Sequence, residues 1–388
     1  MSIISKKYIV IFVAGLACDT FLAAGDQSPL SVPAAPSELV LENPQEQNLK
    51  DAEDKRSLFR YSKSGLQIGE QGKSYFSGTV KIRSQIRFSS PVNSTPRKES
   101  HFSRVRENDL RFRRARFAGE GHAFVPWVKY DYEFDLIGTR LLNLRMTIAK
   151  WDWMQFSFGQ WKAGFSRARA TSSGKQQFAE RSIVNRVFTI DRQHGAMLLG
   201  RLMKGTPGDS RYYVGVFAGN GRGFRTAPGK SELDQDDRSP MVMLRYQWNF
   251  LGRDVAYSES DVEYSDKPVA ALAFGTVRNR SRYTRFSSSG GVQLDGFELG
   301  QPGQYSLRQF MTETTIKYRG LSIQHEIHWK RIYDNVNGNI THIRGGYVQA
   351  GYFFHYLFHR IPKQLEIGTR CAIVDPRGQV NDLQTELT

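Results

Sequence analysis

The run Tyr75 to Ser90 alternates. Phe76, Gly78, Val80, Ile82, Ile86 and Phe88 fall on one face, and Ser77, Thr79, Lys81, Arg83, Gln85 and Arg87 on the other. Side chains of a strand point to opposite faces with period two, so this run predicts a strand with one apolar and one polar face. It is much longer than the strand of about 5–6 residues usual in soluble proteins. The pattern recurs. Val128, Tyr130, Tyr132 and Phe134 alternate with Lys129, Asp131, Glu133 and Asp135. Leu142, Leu144, Met146 and Ile148 alternate with Asn143, Arg145 and Thr147. Further runs cover 211–218, 242–250, 309–319 and 321–330. Counted along the chain there are about fourteen such segments, separated by turns and longer polar loops. Only helices and closed barrels satisfy every backbone group in lipid. A spanning strand needs ~9–11 residues, with its apolar face on lipid and its polar face on the lumen. The expected fold is therefore all-β, a transmembrane antiparallel β-barrel. A soluble sandwich would show the same alternation, but in shorter strands.

The N-terminus supports export. Lys6 and Lys7 precede an apolar stretch from Tyr8 to Ala17, and Ala23, Ala24 and Gly25 follow. That order of charge, apolar core and small residues predicts a signal peptide over 1–25. Lipid attachment at Cys18 is the rival reading, but Gly15 stands where a large aliphatic residue is wanted. Residues 26–74 read as a polar lead with a short helix around Leu49 to Leu58. The barrel is expected over 75–388. Past the N-terminus no apolar run is long enough for a membrane-spanning helix. Two cysteines, Cys18 and Cys371, exclude a disulfide scaffold.

The chain carries 54 Lys+Arg against 38 Asp+Glu, a formal +16. Between Lys81 and Arg116 lie eleven basic residues against three acids: Lys81, Arg83, Arg87, Arg97, Lys98, Arg104, Arg106, Arg111, Arg113, Arg114 and Arg116. Lys81, Arg83 and Arg87 share the polar face. In an unbroken strand Arg111 and Arg113 would share one face, and Arg114 and Arg116 the other. A basic side chain facing lipid at mid-depth costs ~2–4 kcal/mol. The run thus predicts either a bulge near Arg113-Arg114 or a strand end at the interface. Residues 163–193 hold a second concentration, with Arg167, Arg169, Lys175, Arg181, Arg186 and Arg192 against Glu180 and Asp191. This stretch is too long for a turn and is expected to fold into the lumen and narrow it. Arginine is always charged and pairs bidentately with oxyanions, and rings of Arg and Lys build anion pores. The hydroxyls of Thr171, Ser172 and Ser173 would replace part of an anion's hydration. Lys129 and Arg145, on the polar faces of their strands, join the expected anion pathway. Asp131, Glu133 and Asp135 are expected to balance a facing arginine wall.

Leu110-Arg111-Phe112-Arg113-Arg114-Ala115-Arg116-Phe117-Ala118-Gly119-Glu120-Gly121 resembles the basic opening motif of the phosphate-selective porin O/P family. Lys129-Tyr130-Asp131-Tyr132-Glu133-Phe134 resembles that family's next strand. Gly159-Gln160-Trp161-Lys162-Ala163-Gly164-Phe165-Ser166 is similar to its "GQFKxPFS" segment, with Gly164 at the Pro. Arg192-Gln193-His194-Gly195 and Val214-Gly215-Val216-Phe217-Ala218-Gly219-Asn220-Gly221 resemble its "RDxG" and "xGVFNGxG" steps. The resemblance covers roughly 75–388. It implies a barrel of about sixteen strands, commonly trimeric, passing small anions through an arginine-lined lumen in the outer membrane. The resemblance puts phosphate and polyphosphate among the expected small anions, beside members of other selectivity. Barrels of this kind usually end on an aromatic residue, whereas this chain ends at Leu387-Thr388. With fourteen strands counted, a barrel incomplete at its C-terminus is expected.

No catalytic constellation is visible, and no cofactor, metal or nucleic acid is expected. His325 and His328, three apart on a strand, point to opposite faces. His355 and His359 sit among aromatics, as an interfacial belt would. The expected function is passive diffusion of small anions. The alternatives are a plugged structural barrel and a truncated, non-functional relic.

Overall fold

A computed structural model describes residues 59–62, 65–68, 76–89, 109–219, 221–222, 239–252, 254–287, 290–294, 296–375 and 384–387. In chain order the strands are β1 (Phe59–Ser62), β2 (Gly65–Ile68), β3 (Phe76–Ser89), β4 (Asp109–Ala123), β5 (Val128–Asp135) and β6 (Arg140–Trp151). Then come β7 (Met154–Lys162), β8 (Arg192–Leu202), β9 (Ser210–Phe217), β10 (Met241–Leu251) and β11 (Val269–Ser281). A small hairpin, β12 (Arg285–Ser287) and β13 (Gly290–Val292), stands apart from the sheet. The last strands are β14 (Tyr305–Tyr318), β15 (Leu321–Asp334), β16 (Ile340–Tyr352), β17 (Ile367–Asp375) and β18 (Gln384–Leu387). Two short helices, α1 (Arg167–Ala170) and α2 (Ile183–Phe188), lie between β7 and β8.

Sixteen of the strands form one antiparallel sheet whose spatial order follows the chain. That is two more than the alternation count. β1 and β2 have four residues each, too few to show a period, and they fall in the stretch read as a polar lead. The helix expected around Leu49 to Leu58 lies outside the described residues.

The sheet is inside out relative to a soluble protein. On β10, Arg245, Gln247 and Asn249 are 2%, 0% and 1% exposed, while Leu244, Tyr246 and Trp248 are 44%, 45% and 41% exposed. On β15, Glu326, His328 and Lys330 are buried, and Ile327 and Trp329 are exposed. Water outside would reverse this order, and lipid outside dictates it. The sheet also curls around its contents. Glu180 Oε1 accepts from Arg87 of β3 at 2.7 Å and from Arg113 of β4 at 3.2 Å. The carbonyl of the same residue accepts from Arg370 of β17 at 3.0 Å. Strands near both ends of the sheet thus converge on one interior residue. This is a transmembrane β-barrel.

Candidate anion pathway

Residues 163–191 leave the end of β7 and fold inside the sheet. Gly164 turns the chain at φ +76°, a left-handed conformation. Beyond it, Phe165, Ala168, Val184, Phe188 and Ile190 bury themselves against Met243, Val277, Leu307, Met311, Ile332 and Ile343 of the inner wall. At ~1.5–3 kcal/mol for each large apolar side chain, this packing fixes the segment against the β10–β17 side.

Polar anchors add direction. The backbone N–H of Arg167 donates to Glu313 Oε2 at 2.8 Å, and that of Ala168 to Glu326 Oε1 at 2.7 Å. The Arg167 guanidinium donates to Glu313 (3.3 Å), Gln247 (3.3 Å) and the Ala256 carbonyl (3.1 Å), over the Tyr257 ring at 4.7 Å. Arg245 makes two bonds of its own to Glu313, at 2.6 and 2.9 Å. Arg167 is wholly buried, and its charge is taken up. The reading that put Arg167 on an anion path gives way to an anchoring role. Arg169 is likewise held, its Nε 2.7 Å from Asp191 Oδ1. A second segment, 252–268, comes from the opposite end of the barrel. The Glu259 N–H donates to the Lys175 carbonyl at 3.0 Å, and Glu259 Oε2 accepts from the Gln177 N–H at 2.9 Å. Burial raises the Glu259 carboxyl above the ordinary range. The alternation of the flanking strands gave no sign that 252–268 turns inward.

Facing the segment is the wall of β3 to β8, where basic residues collect. The register of β3 on β4 slips between Gln85 and Ile86, which pair with Arg114 and Phe112 and leave Arg113 as the extra residue. This is the predicted bulge. Before it Arg111 sits opposite Arg87; after it Arg114 sits opposite Gln85 and Arg116 opposite Arg83. Arg113 reaches Glu180. One inserted residue thus turns all four arginines away from lipid, where an unbroken strand would have left two facing it.

The carboxylates of β5 do not face this wall from across the lumen. They neutralise neighbours. Glu133 takes Arg116 at 2.7 Å and Arg192 at 2.6 Å, and Asp131 takes Arg145 at 2.5 Å. Lys81 pairs with Glu120, and Lys129 is exposed at the start of β5. Arg186 lies on α2.

Arg83, Arg114, Lys162 and Arg181 have no carboxylate partner among the described residues. Arg83 donates to Ser172 Oγ at 3.4 Å and Ser173 Oγ at 2.6 Å. Arg114 donates to Gln85. Lys162 Nζ lies 3.4 Å from the Ala170 carbonyl and 3.3 Å from that of Thr171. Arg181 donates to the carbonyls of Ala168 at 2.6 Å and Thr171 at 2.7 Å. Burial, and next Arg169, push Arg181 down to about 10, so it keeps its charge at neutral pH. Thr171 Oγ1 is buried with no hydrogen-bond partner among the described residues. Lys162 is the member that sequence reasoning missed. It stands in the quoted Gly159-to-Ser166 run, but its two acceptors lie on the folded-back segment.

The sequence profile of the family described as phosphate-selective porin O and P matches residues 99–368, well over half of the chain. The chain belongs to this family. It is an outer-membrane porin by membership and by its inverted barrel. No curated protein matches it in sequence. Among solved structures it is similar to an anion-selective porin from Comamonas acidovorans, with a TM-score of 0.47 and 7% identity over 80% of this chain and 82% of that one. It is also similar to OmpT of Vibrio cholerae in a trimer form (TM-score 0.35, 9% identity, 80% and 94% covered). OprB of Pseudomonas putida follows (TM-score 0.34, 12% identity, 72% and 87% covered). None of these scores is high enough to argue from, and the family match alone identifies the chain.

Proposed function

We propose that this porin passes small anions, phosphate among them, between the 163–191 segment and the basic wall of β3 to β8. The observation that carries the reading is the group Arg83, Arg114, Lys162 and Arg181. The three guanidinium groups stay charged and are met by neutral acceptors among the described residues, with the Lys162 amine beside the Thr171 carbonyl, so the group favours an anion inside the barrel. A dehydrating oxyanion would find guanidinium donors, the Lys162 amine and the hydroxyls of Thr171, Ser172 and Ser173 in place of water. Arg87, Arg111, Arg113, Arg116, Lys81, Lys129 and Arg145 extend the positive field along the wall, partly offset by their acids. Passage is passive. In lipid the porin assembles as a homotrimer, which light scattering in detergent would report as three chain masses.

Phosphate added to a chloride-conducting channel should reduce the current. Replacing Arg83 and Arg114 by Gln should weaken that block by roughly tenfold or more, the scale of a lost hydrogen bond to a charged group. An unchanged block in the double variant would remove these two residues from the pathway. The meeting of 163–191 with 252–268 favours a second reading, a plugged structural barrel. A folded protein without conductance would support it.

A further inference from the structure

The outer face of the barrel carries a basic row of its own. Arg278 of β11 stands directly opposite Arg308 of β14, Arg308 opposite Arg331 of β15, and Arg331 opposite His342 of β16. Direct opposition puts all four at one height. Alternation puts them on the lipid side, with Phe274, Phe310 and Trp329 exposed beneath them and Asn279, Gln309 and Lys330 buried behind. Arg280 lies one step further toward the strand ends. Two residues toward the middle, Arg344 faces Asp375 of β17, the acid at the margin of the row. Arg278, Arg308 and Arg331 have no hydrogen bond or ion pair among the described residues. They line a groove of about 460 Å³ together with Val242, Arg280 and Tyr333.

Like charges placed directly opposite on adjacent strands repel. Basic side chains on a lipid-facing surface are tolerable only near the interface. Arg278 and Arg308 are each three residues from the end of their strand, so the row sits near the rim. It is the rim from which 163–191 and the 282–304 connection depart. The two-residue turns Asp152-Trp153 and Arg319-Gly320 lie at the other end, where the longer 252–268 connection folds into the barrel. Long connections mark the external side of such barrels.

We propose that this row binds the phosphate groups of a lipid of the external leaflet, with the acyl chains lying on the apolar face below. Guanidinium forks side by side at one height match phosphate monoesters bidentately and cancel the repulsion within the row. The groove is continuous with the lipid-contacting surface, which favours a lipid over a protein occupant. The proposal does not depend on what passes through the lumen.

The test is native mass spectrometry of the full chain, folded in detergent and incubated with lipid A or with lipid A stripped of both phosphates. The wild type should retain the phosphorylated lipid in preference to the stripped one. R278Q/R308Q/R331Q should lower the affinity roughly 100-fold, from the worth of basic side chains at an anionic lipid surface. R83Q/R114Q, on the inner wall, should leave retention unchanged, and the heat-sensitive gel mobility of the folded barrel checks that each variant is folded. Inorganic phosphate should not displace the lipid at matched concentration. Equal retention of both lipids, or full retention by the triple variant, overturns the proposal. So does a triple variant that loses its oligomeric mass while keeping its lipid, because the row would then be a protein contact. The sequence places Glu232, Asp234, Asp236 and Asp237 just ahead of Ser239 and Pro240, which also border the groove. If neutralising these acids, and not adding lipid, is what changes groove occupancy, the chain's own acids are the occupant and the lipid proposal fails.

Discussion

Glu313 accepts from Arg167 and Arg245 in a site sealed from solvent, so the two guanidinium groups share one carboxylate. Glu313→Gln leaves both underpaired. Breaking a buried ion pair from one side costs ~3–5 kcal/mol, which should appear as a lower urea midpoint in detergent and as new protease cuts within 163–191. An unchanged midpoint would mean that the apolar packing holds the segment unaided. Asp209 behaves differently, because it lies in the turn before β9. Hydrogen bonds from Arg201, and further ones from Gly205 and Asn249, bring its carboxyl down to about 2. A depressed carboxylate contributes stability above its unfolded value near 4, and that contribution is lost as pH falls from there through about 2. Asp209→Asn should therefore flatten the acid slope of stability by about one proton in that window, as read from urea unfolding at each pH. At this scale the sequence was only partly legible. Clustering marked Arg83, Arg114 and Arg181, but nothing local marked Arg167 as an anchor. Its partners Gln247 and Glu313 lie 80 and 146 positions away.

Between β7 and α1, Gly164 replaces the proline of the related motif. A φ of +76° is open to glycine and closed to proline, whose ring holds φ near −65°. The two residues therefore bring the chain inward along different paths. Gly164→Pro should misplace 163–191 and cost ~3 kcal/mol or more in thermal stability, with altered conductance. Gly164→Ala meets open space, with no atom closer than 4.0 Å, so its smaller loss would be purely conformational. A Pro variant as stable as the wild type would contradict this account of the turn. The long strands were legible because alternation over ten or more residues leaves little choice of structure. The bulge was legible because four arginines on one strand cannot divide between lipid and lumen cheaply. β1 and β2 were not, since four residues show no period. The inward course of 252–268 was not, since hydrogen bonds to Lys175 and Gln177 hold it, and those exist only after the other segment has folded in.

For the whole molecule, two surfaces carry positive charge for different reasons. Inside the barrel, Arg83, Arg114, Lys162 and Arg181 have no carboxylate partner among the described residues. On the outer rim Arg278, Arg308 and Arg331 are in the same state among the described residues, facing lipid. Between them lies a sheet with its apolar side outward, as the alternation and the composition required. The formal +16 reflects both surfaces, so net charge alone does not reveal which one meets the permeating ion. The reversal potential of the folded protein in a planar bilayer across a KCl gradient separates them, because the rim row does not line the path. The account predicts a potential displaced toward the chloride equilibrium value, and a smaller displacement when Lys162 and Arg181 are both replaced by Gln. A potential displaced toward the potassium value would contradict it.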